Sequence, residues 1–484
     1  MRIGEEYIRG LRDGRAVYLD GDPVADVTTH PAFAAPIQRI AAVYDMARDP
    51  SRARNLTFVD EISGERISNM WLIPRTADDI RAHRRVHELW AEATYGLMGR
   101  TPDHVASIIT MFGGSRDVFD RGGSRFGDNV VRFYERARRE DLYLAYVIIP
   151  LQPDRTKPSH QQPIPFVQPT VVKERDDGIV LRGAHMIGTS AIMADGIFLS
   201  YIVPLQPGDE DHALSLYMPC DATGLRMYPR RPYAMGTNSV YDYPLSSRFD
   251  ESDSLIVMHD VFVPWEHVFI YRNVDLVNAH MAESGSHVMA NFQALARFTV
   301  KMRFAAGLAR RLSELNNHIS IPQTQSHLGG MIAAFVATFE ALVAAAESNP
   351  AFRNGVARPS GQYVYSGMSL QRRLVVDIMR AIREIAGGAF HCVPSSERSF
   401  TSPHIGEDTR TLYGSVNATA EERVKVLKLI WDFVGTEFAG RQLQYEMFYS
   451  AAQHVVDARV FRSFHWDECA RMVDACLAEY DLPR

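Results

Sequence analysis

Three groups of residues in this chain are of types that can do chemistry. The run Arg100-Thr101-Pro102-Asp103-His104 sets a cation, a carboxylate and an imidazole side by side. Asp250, Glu251 and Asp253 form an acidic cluster, and Cys220, Cys392, Cys469 and Cys476 are the only thiols. The acidic cluster suggests a cation site, but it stands just before a β-rich run, where a turn or an interdomain ion-pair site is the stronger reading. The four cysteines fit no zinc spacing, so no metal site is expected. There is no glycine-rich dinucleotide loop, phosphate-binding loop, H-E-x-x-H or G-x-S-x-G. From residues alone the reading stops at a soluble, α/β/α-layered enzyme with a cleft between domains.

The elements that must position these groups fall into three regions. Residues 1–140 read mainly as an N-terminal helical domain. The stretch 76–99 has apolar residues at helical spacing behind a Thr76/Asp78 cap-like signal. A second helix restarts at the Arg100–His104 run: Thr101 suits the N-cap, Pro102 the first helical position, and Asp103 the positive end of the helix dipole. Residues 141–275 form a β domain, with strand-like runs at 142–149, 170–174, 178–189, 196–205, 213–219 and 254–264 between Pro, Gly and Asp clusters. Residues 276–484 return to helix as a C-terminal bundle, its helices predicted at 289–317, 322–348, 361–388 and 418–454.

Bulk properties narrow the partners. The 484 residues carry a net charge of −6 and a pI near 6.3. This argues against nucleic acid or an anionic membrane surface, either of which wants a basic field. The N-terminal stretch lacks an apolar signal core, and no segment approaches the ~18 consecutive apolar residues of a membrane span. With thiols too few for a disulfide framework, the location expected is the cytoplasm.

Six segments, in order along nearly the whole chain, resemble the 4-hydroxyphenylacetate 3-monooxygenase oxygenase component family. They are GRTPDH (99–104), DRTKP (154–158), RGAHMIGTSAIMADGIF (182–198), YPLSSRFDESDSLIVMHDVFVPWEHVFIYRNV (243–274), RFTVKMRFAAGLA (297–309) and KLIWDFVGTEFAGRQLQYEMFY (428–449). The resemblance implies an α+β, acyl-CoA dehydrogenase-like fold: N-terminal helical domain, middle antiparallel β-barrel and C-terminal four-helix bundle. It implies FAD, used as FADH2, together with O2. A separate NAD(P)H:flavin reductase would supply the reduced flavin, which explains the missing dinucleotide loop. It also implies a small aromatic substrate and a homo-oligomer, a tetramer, in which a neighbouring subunit completes the flavin groove. The chemistry implied is hydroxylation of a phenol-like ring through a flavin C4a-hydroperoxide. The protein then supplies positioning, electrostatics and a dry site.

The resemblance also assigns roles, with departures. Arg100 matches the family's R-x-P-D-Y motif, but His104 stands where tyrosine is usual. On the strand 144–155, Tyr146 stands where histidine is usual, so the pair is swapped across the pocket. The expected roles are phenolate stabilisation by Arg100, general base by His104 and a hydrogen bond to the substrate oxygen from Tyr146. For flavin the resemblance points to Gln152, Asp154 and Arg155 in the strand-exit loop, to Thr189, and to Ser450 and Gln453 in the turn 448–453. That turn lacks the family's Gly-Asp. Arg441 and Gln442, read as exposed helix residues, are the candidates for phosphate. Related dehalogenating phenol monooxygenases use a histidine near 291–292; here Asn291 and Phe292 fall there, and His287 lies one turn earlier.

Other readings share the fold. A radical dehydratase of the 4-hydroxybutyryl-CoA type needs three cysteines and a histidine for an iron–sulfur cluster, and no cysteine lies near 97–104 or 280–300. An acyl-CoA dehydrogenase needs a catalytic carboxylate over the flavin, to which the six segments do not point. The alternatives kept are a dehalogenating or other aromatic monooxygenase of natural-product biosynthesis and a flavin-binding, non-catalytic homologue.

Overall fold

The helix carrying His104 begins where the local sequence demands it. The computed structural model describes residues 1–61, 63–236, 239–449 and 451–480, and in it a helix runs Pro102–Gly113 with Thr101 as its extended N-cap. The proline costs nothing there, because a first-turn N–H has no helical acceptor. Thr101 does not cap with its side chain; its hydroxyl turns instead to Asp103 at 2.5 Å. The preceding helix, Ala77–Ala93, is closed by a reciprocal box in which Thr76 Oγ1 accepts from the Asp79 N–H and the Asp79 carboxylate accepts from the Thr76 N–H. The acidic partner is therefore Asp79, not Asp78. This helix stops well short of residue 99. Gly96 then takes φ 68°, and a Cβ there would lie 2.6 Å from the Lys301 backbone nitrogen. Only glycine lets the chain turn while touching the long bundle helix.

The middle of the chain forms two open sheets. One runs in the order Asp22–Pro23, Ala16–Leu19, Leu225–Pro229, Ser254–Pro264, Gly178–Met186, Ile149–Pro150, with Thr170–Arg175 also on Gly178–Met186. The other runs Val268–Tyr271, Leu214–Pro219, Gly196–Leu199, Leu144–Val147. Neither closes on itself, so the expected barrel is two open sheets. Two pairings are parallel: Ala16–Leu19 on Leu225–Pro229 and Leu144–Val147 on Gly196–Leu199. The first carries an N-terminal strand into the middle layer, across the domain border expected from sequence. The strands Leu225–Pro229 and Val268–Tyr271 were not among the predicted runs.

In the bundle, Ser286–Leu315 is the central element and packs on Gly361–Ala386, Ala77–Ala93, Pro102–Gly113 and Ala334–Ser348. The run 418–454 is not one helix but two, Ala420–Val434 and Glu437–Phe448. Thr436 restarts the second by accepting the Ala439 N–H, and its hydroxyl donates to Asp432 at 2.9 Å. The continuous apolar periodicity hides this break because both helices bury the same side. Pro322–Ser348 is helical throughout, with a π-turn at His327–Ala333 over Gly329 and Gly330. Its 27 residues have an 18-residue window of mean hydropathy 1.9, of which 22% is buried. The sequence reading found nothing near a membrane span, yet by length and composition this helix reaches that range. Its open face is rich in small and apolar side chains.

The core holds several neutral imidazoles. Burial pushes His83 and His185 down to about 3 and His280 to about 4. The unfolded chain titrates these groups near ~6.5. As pH falls from about 6.5, the unfolded state takes up protons that the folded state refuses, so stability is full above this value and lost below it. Melting temperature should therefore fall steadily between pH 7 and pH 4.5, and His280→Gln should flatten the slope by one proton's worth. A melting temperature independent of pH over that range would overturn the assignment.

Candidate active site

Arg100, His104 and Tyr146 meet in one place. Arg100 lies on the turn just before the helix, and its main chain is clamped from both sides. Its N–H donates to Glu251 Oε1 at 2.6 Å, and its carbonyl accepts from the Tyr143 hydroxyl. One turn on, His104 is buried with its Nε2 2.5 Å from Arg100 Nη1. Tyr146 comes from the strand Leu144–Val147, and its ring meets the His104 ring edge-on with centroids 5.4 Å apart. The predicted swap of histidine and tyrosine thus places the two rings in contact. Together with Ile202, Asn291 and Tyr449 they enclose a small inner chamber. Tyr146, Ile202 and His287 also line an outer cavity of about 310 Å³, which opens towards Tyr365, Arg459 and Arg462.

The chamber is electrostatically one-sided. The Arg100 guanidinium lies over three aromatic faces, Tyr146 at 5.4 Å, Tyr445 at 5.5 Å and Tyr449 at 5.8 Å. Among the described residues no carboxylate lies within salt-bridge distance of it. Aromatic faces attract a cation without neutralising it, so the charge remains available to an oxygen anion. Burial, then Arg100, holds His104 well below the usual histidine range. Burial raises Tyr146 to about 12, against the opposing pull of Arg100. Both therefore stand neutral at physiological pH. His287 is likewise held neutral by burial, at about 3, with Nδ1 3.2 Å from the Tyr365 hydroxyl.

Other residues singled out from sequence sit around a second centre. Arg441 and Gln442 are buried, not exposed. Arg441 spans Glu251 at 3.1 Å and Asp253 at 2.7 Å; Thr189 donates to Asp253 at 2.7 Å, and Arg230 reaches Asp250 and Asp253. The acidic cluster is thus an ion-pair site between the sheet and the bundle. Among the described residues no group of histidine, cysteine or carboxylate side chains has the make-up of a metal site. Gln442 receives a hydrogen bond from Lys301 at 2.7 Å and donates to the Leu97 carbonyl. In the strand-exit loop, Asp154 closes a turn by accepting from the Thr156 N–H and hydroxyl; Gln152 is half-buried and Arg155 exposed. Gln453 donates to Ser369 and Asp457. Ser450 lies outside the described residues. Beside it Ala451 takes φ 92°, so the turn keeps a left-handed backbone although the glycine is gone.

Sequence reasoning missed Gln293, Tyr445, Tyr449 and Ile202. They arrive from elements remote in sequence, and nothing local marks their role: Tyr445 and Tyr449 lie within the segment 428–449, Ile202 within the run 196–205, and Gln293 on the helix 289–317 beside the named Asn291.

Comparison with known proteins agrees with this geometry. Residues 3–270 match the family described as 4-hydroxyphenylacetate 3-hydroxylase N terminal, and residues 277–478 match 4-hydroxyphenylacetate 3-hydroxylase C terminal. The chain belongs to this family. It is 34% identical to a (3S)-3-amino-3-(3-chloro-4-hydroxyphenyl)propanoyl-[peptidyl-carrier protein] monooxygenase of Streptomyces globisporus, over 99% of this chain and 91% of that one. It is 33% identical to the 4-hydroxyphenylacetate 3-monooxygenase oxygenase component of Escherichia coli, over 99% and 93%. A crystal structure of such an oxygenase component, complexed with FAD and 4-hydroxyphenylacetate, superposes with a TM-score of 0.93 at 30% identity and covers 99% of both chains. The order of N-terminal helices, two sheets and C-terminal bundle therefore holds over the whole family member, with its sheets open.

Behind the chamber lies a fully buried charge group. Glu446 accepts two hydrogen bonds from Arg297, at 2.5 and 2.8 Å, one from Lys301 at 2.8 Å and one from Gln371 at 2.7 Å. The two cations hold its carboxyl down at about 2 despite burial. Glu446→Leu strands both cations without a counter-charge and should cost about 3–5 kcal/mol, read as a lowered urea midpoint. Adding Lys301→Met should recover part of that loss, whereas strictly additive losses would show that the charges are not coupled.

Proposed function

We propose that this chain is the oxygenase component of a two-component monooxygenase that uses reduced FAD and O2 to hydroxylate a phenol-like ring. The observation that carries this reading is the inner chamber, where an un-neutralised Arg100 guanidinium stands beside a neutral, buried His104 and the hydroxyl-bearing Tyr146. A phenol oxygen placed there meets an acceptor for its proton and a cation for the charge that remains. Deprotonation pushes electron density into the ring, which is what an electrophilic oxygen requires. Reduced FAD, when bound, supplies the activated oxygen. The chain's residues hold the ring, take its proton and keep water out. The last duty falls to Ile202, Ala290 and the Tyr445–Tyr449 stack.

The FAD groove runs between the sheets and the bundle, beside Thr189. The groups there fit a flavin. The hydroxyls of Ser252, Ser254 and Tyr445 are buried without a hydrogen-bond partner, and an isoalloxazine edge offers both donors and acceptors to satisfy such groups. Thr189 and the loop residues Gln152, Asp154 and Arg155 supply the rest on the sheet side. On the bundle side, Arg441 acts through its ion pairs and Gln442 through its hydrogen bonds in shaping the floor, and Gln453 lies at its end; Ser450 remains a candidate outside the described residues. The nicotinamide-dependent step belongs to a separate reductase. The chain assembles as a tetramer in the cytoplasm; the open apolar face of Pro322–Ser348 and four unpaired cysteines support this reading.

The test couples the purified chain to a flavin reductase with NADH, FAD and O2, over a panel of phenols, and reads products for a gain of one oxygen by mass. His104→Ala should lower hydroxylation on the order of 10²-fold or more while reductant is still consumed and appears as H2O2. Arg100→Met should act in the same direction, with a larger loss for the less acidic phenols. Full product yield from His104→Ala would remove His104 from the chemistry.

A further inference from the structure

His104 is gripped by a hydrogen-bonded chain that determines which of its nitrogens is a base. Asp103 has no exposed surface and lies within hydrogen-bond reach of Thr101 Oγ1 at 2.5 Å, His87 Nδ1 at 2.7 Å and Gln293 Nε2 at 3.2 Å. Gln293 turns the NH2 end of its amide to this carboxyl group, donating to Oδ2. The other end of the same amide, Oε1, then faces His104 Nδ1 at 3.1 Å. A carbonyl also only accepts, so His104 Nδ1 must carry the hydrogen. A lone pair there would set two acceptors against each other in a buried site. A neutral imidazole has one N–H. Nε2 is left with its lone pair; Arg100 Nη1 lies 2.5 Å from Nε2 and 3.2 Å from Nδ1, which places the guanidinium off the axis of that lone pair.

We infer that Gln293 is a positioning residue that fixes His104 as the Nδ1–H tautomer with its Nε2 lone pair in the chamber, and that the His87–Asp103 pair fixes Gln293. The inference rests on the reading of His104 as the base. The step it prepares is simple. The phenolic O–H bond breaks and its proton forms a bond to Nε2. The electron pair stays on oxygen, where Arg100 balances it. His104 becomes an imidazolium whose Nδ1–H still points at Gln293. In the opposite tautomer Nε2–H would confront the phenolic hydrogen, and His104 could not take the proton. His87 and Asp103 are fully buried and do not line the chamber; they act through Gln293. The family's usual tyrosine needs no such device, since a hydroxyl donates and accepts at one atom, whereas an imidazole must be told which way to face.

The test reads the tautomer directly, without turnover. Histidine is labelled with 15N in the full chain, and His104 is assigned as the signal lost in His104→Ala. Wild type should show a pyrrole-type Nδ1 and a pyridine-type Nε2. Gln293→Leu should populate the Nε2–H form and lower kcat on the order of tenfold or more, with KM for the phenol changed less than about threefold because Arg100 and Tyr146 remain. Asp103→Asn should do the same from a distance by letting the Gln293 amide turn over. If that variant does not fold, Gln293→Leu decides alone. A wild-type Nε2–H signal, or an unchanged tautomer and kcat in Gln293→Leu, overturns the inference. Retained hydroxylation in His104→Ala is a separate result: it removes the base assignment while leaving the tautomer measurement standing.

Discussion

Glu251 is the joint on which the site hangs. One of its oxygens accepts the Arg100 backbone N–H; the other accepts from Arg441 on the helix Glu437–Phe448. A carboxylate in the middle layer thus ties the start of the His104 helix to the bundle. Burying it without partners would cost several kcal/mol. With a peptide N–H, a guanidinium and the Thr189–Asp253 contact beside it, the charge is satisfied and all three layers are held in register. Arg100 can then present its side chain, free of any carboxylate, because its main chain is fixed independently by Glu251 and Tyr143.

This division of labour recurs. Arg297 and Lys301 are buried and Arg441 and Arg100 partly so; the first three are each matched to a carboxylate, Glu446 for Arg297 and Lys301 and Glu251 and Asp253 for Arg441. Their contribution is structural, and their aromatic neighbour is shared, since Tyr445 lies under both Arg297 and Arg441. Arg100 faces the same tyrosine stack from the chamber side with its charge unspent. The difference between a structural and a functional arginine here is the presence or absence of a counter-ion, and sequence position carries no trace of it. The same holds for imidazoles: His83, His185 and His280 are core groups, while His104 differs by having Arg100 and Gln293 on its two nitrogens.

The arrangement also explains how an exchanged His/Tyr pair can serve the same chemistry. The two rings are in edge contact, so an imidazole and a phenolic hydroxyl stand side by side whichever element supplies which. The exchange does change what must be controlled. A histidine on the helix brings a tautomer choice, and the buried Asp103–Gln293 chain settles it from the bundle side.

Much of this was legible in the sequence. The Thr101-Pro102-Asp103 start placed a helix under His104 because N-cap and first-turn preferences are local. Most strands were visible as β-rich runs between turn residues, the ordered segments located Arg100 and His104, and the strand 144–155 located Tyr146. The acidic cluster read correctly as an ion-pair site, since carboxylates before a strand are common there. What the sequence could not settle depends on which faces meet. It ran Ala420–Val434 and Glu437–Phe448 together, closed the sheets into a barrel, left Arg441 and Gln442 at the surface, and was silent on Gln293. Periodicity reports that a face is apolar, not which polar side chain from 190 residues away completes a hydrogen-bond chain to Asp103. The sequence by itself determined the elements and the kind of chemistry, because both follow from residue type and short-range spacing. Only the tertiary structure decided which charges are neutralised and which nitrogen of His104 faces Gln293, because those depend on partners that packing alone brings within 3 Å or so.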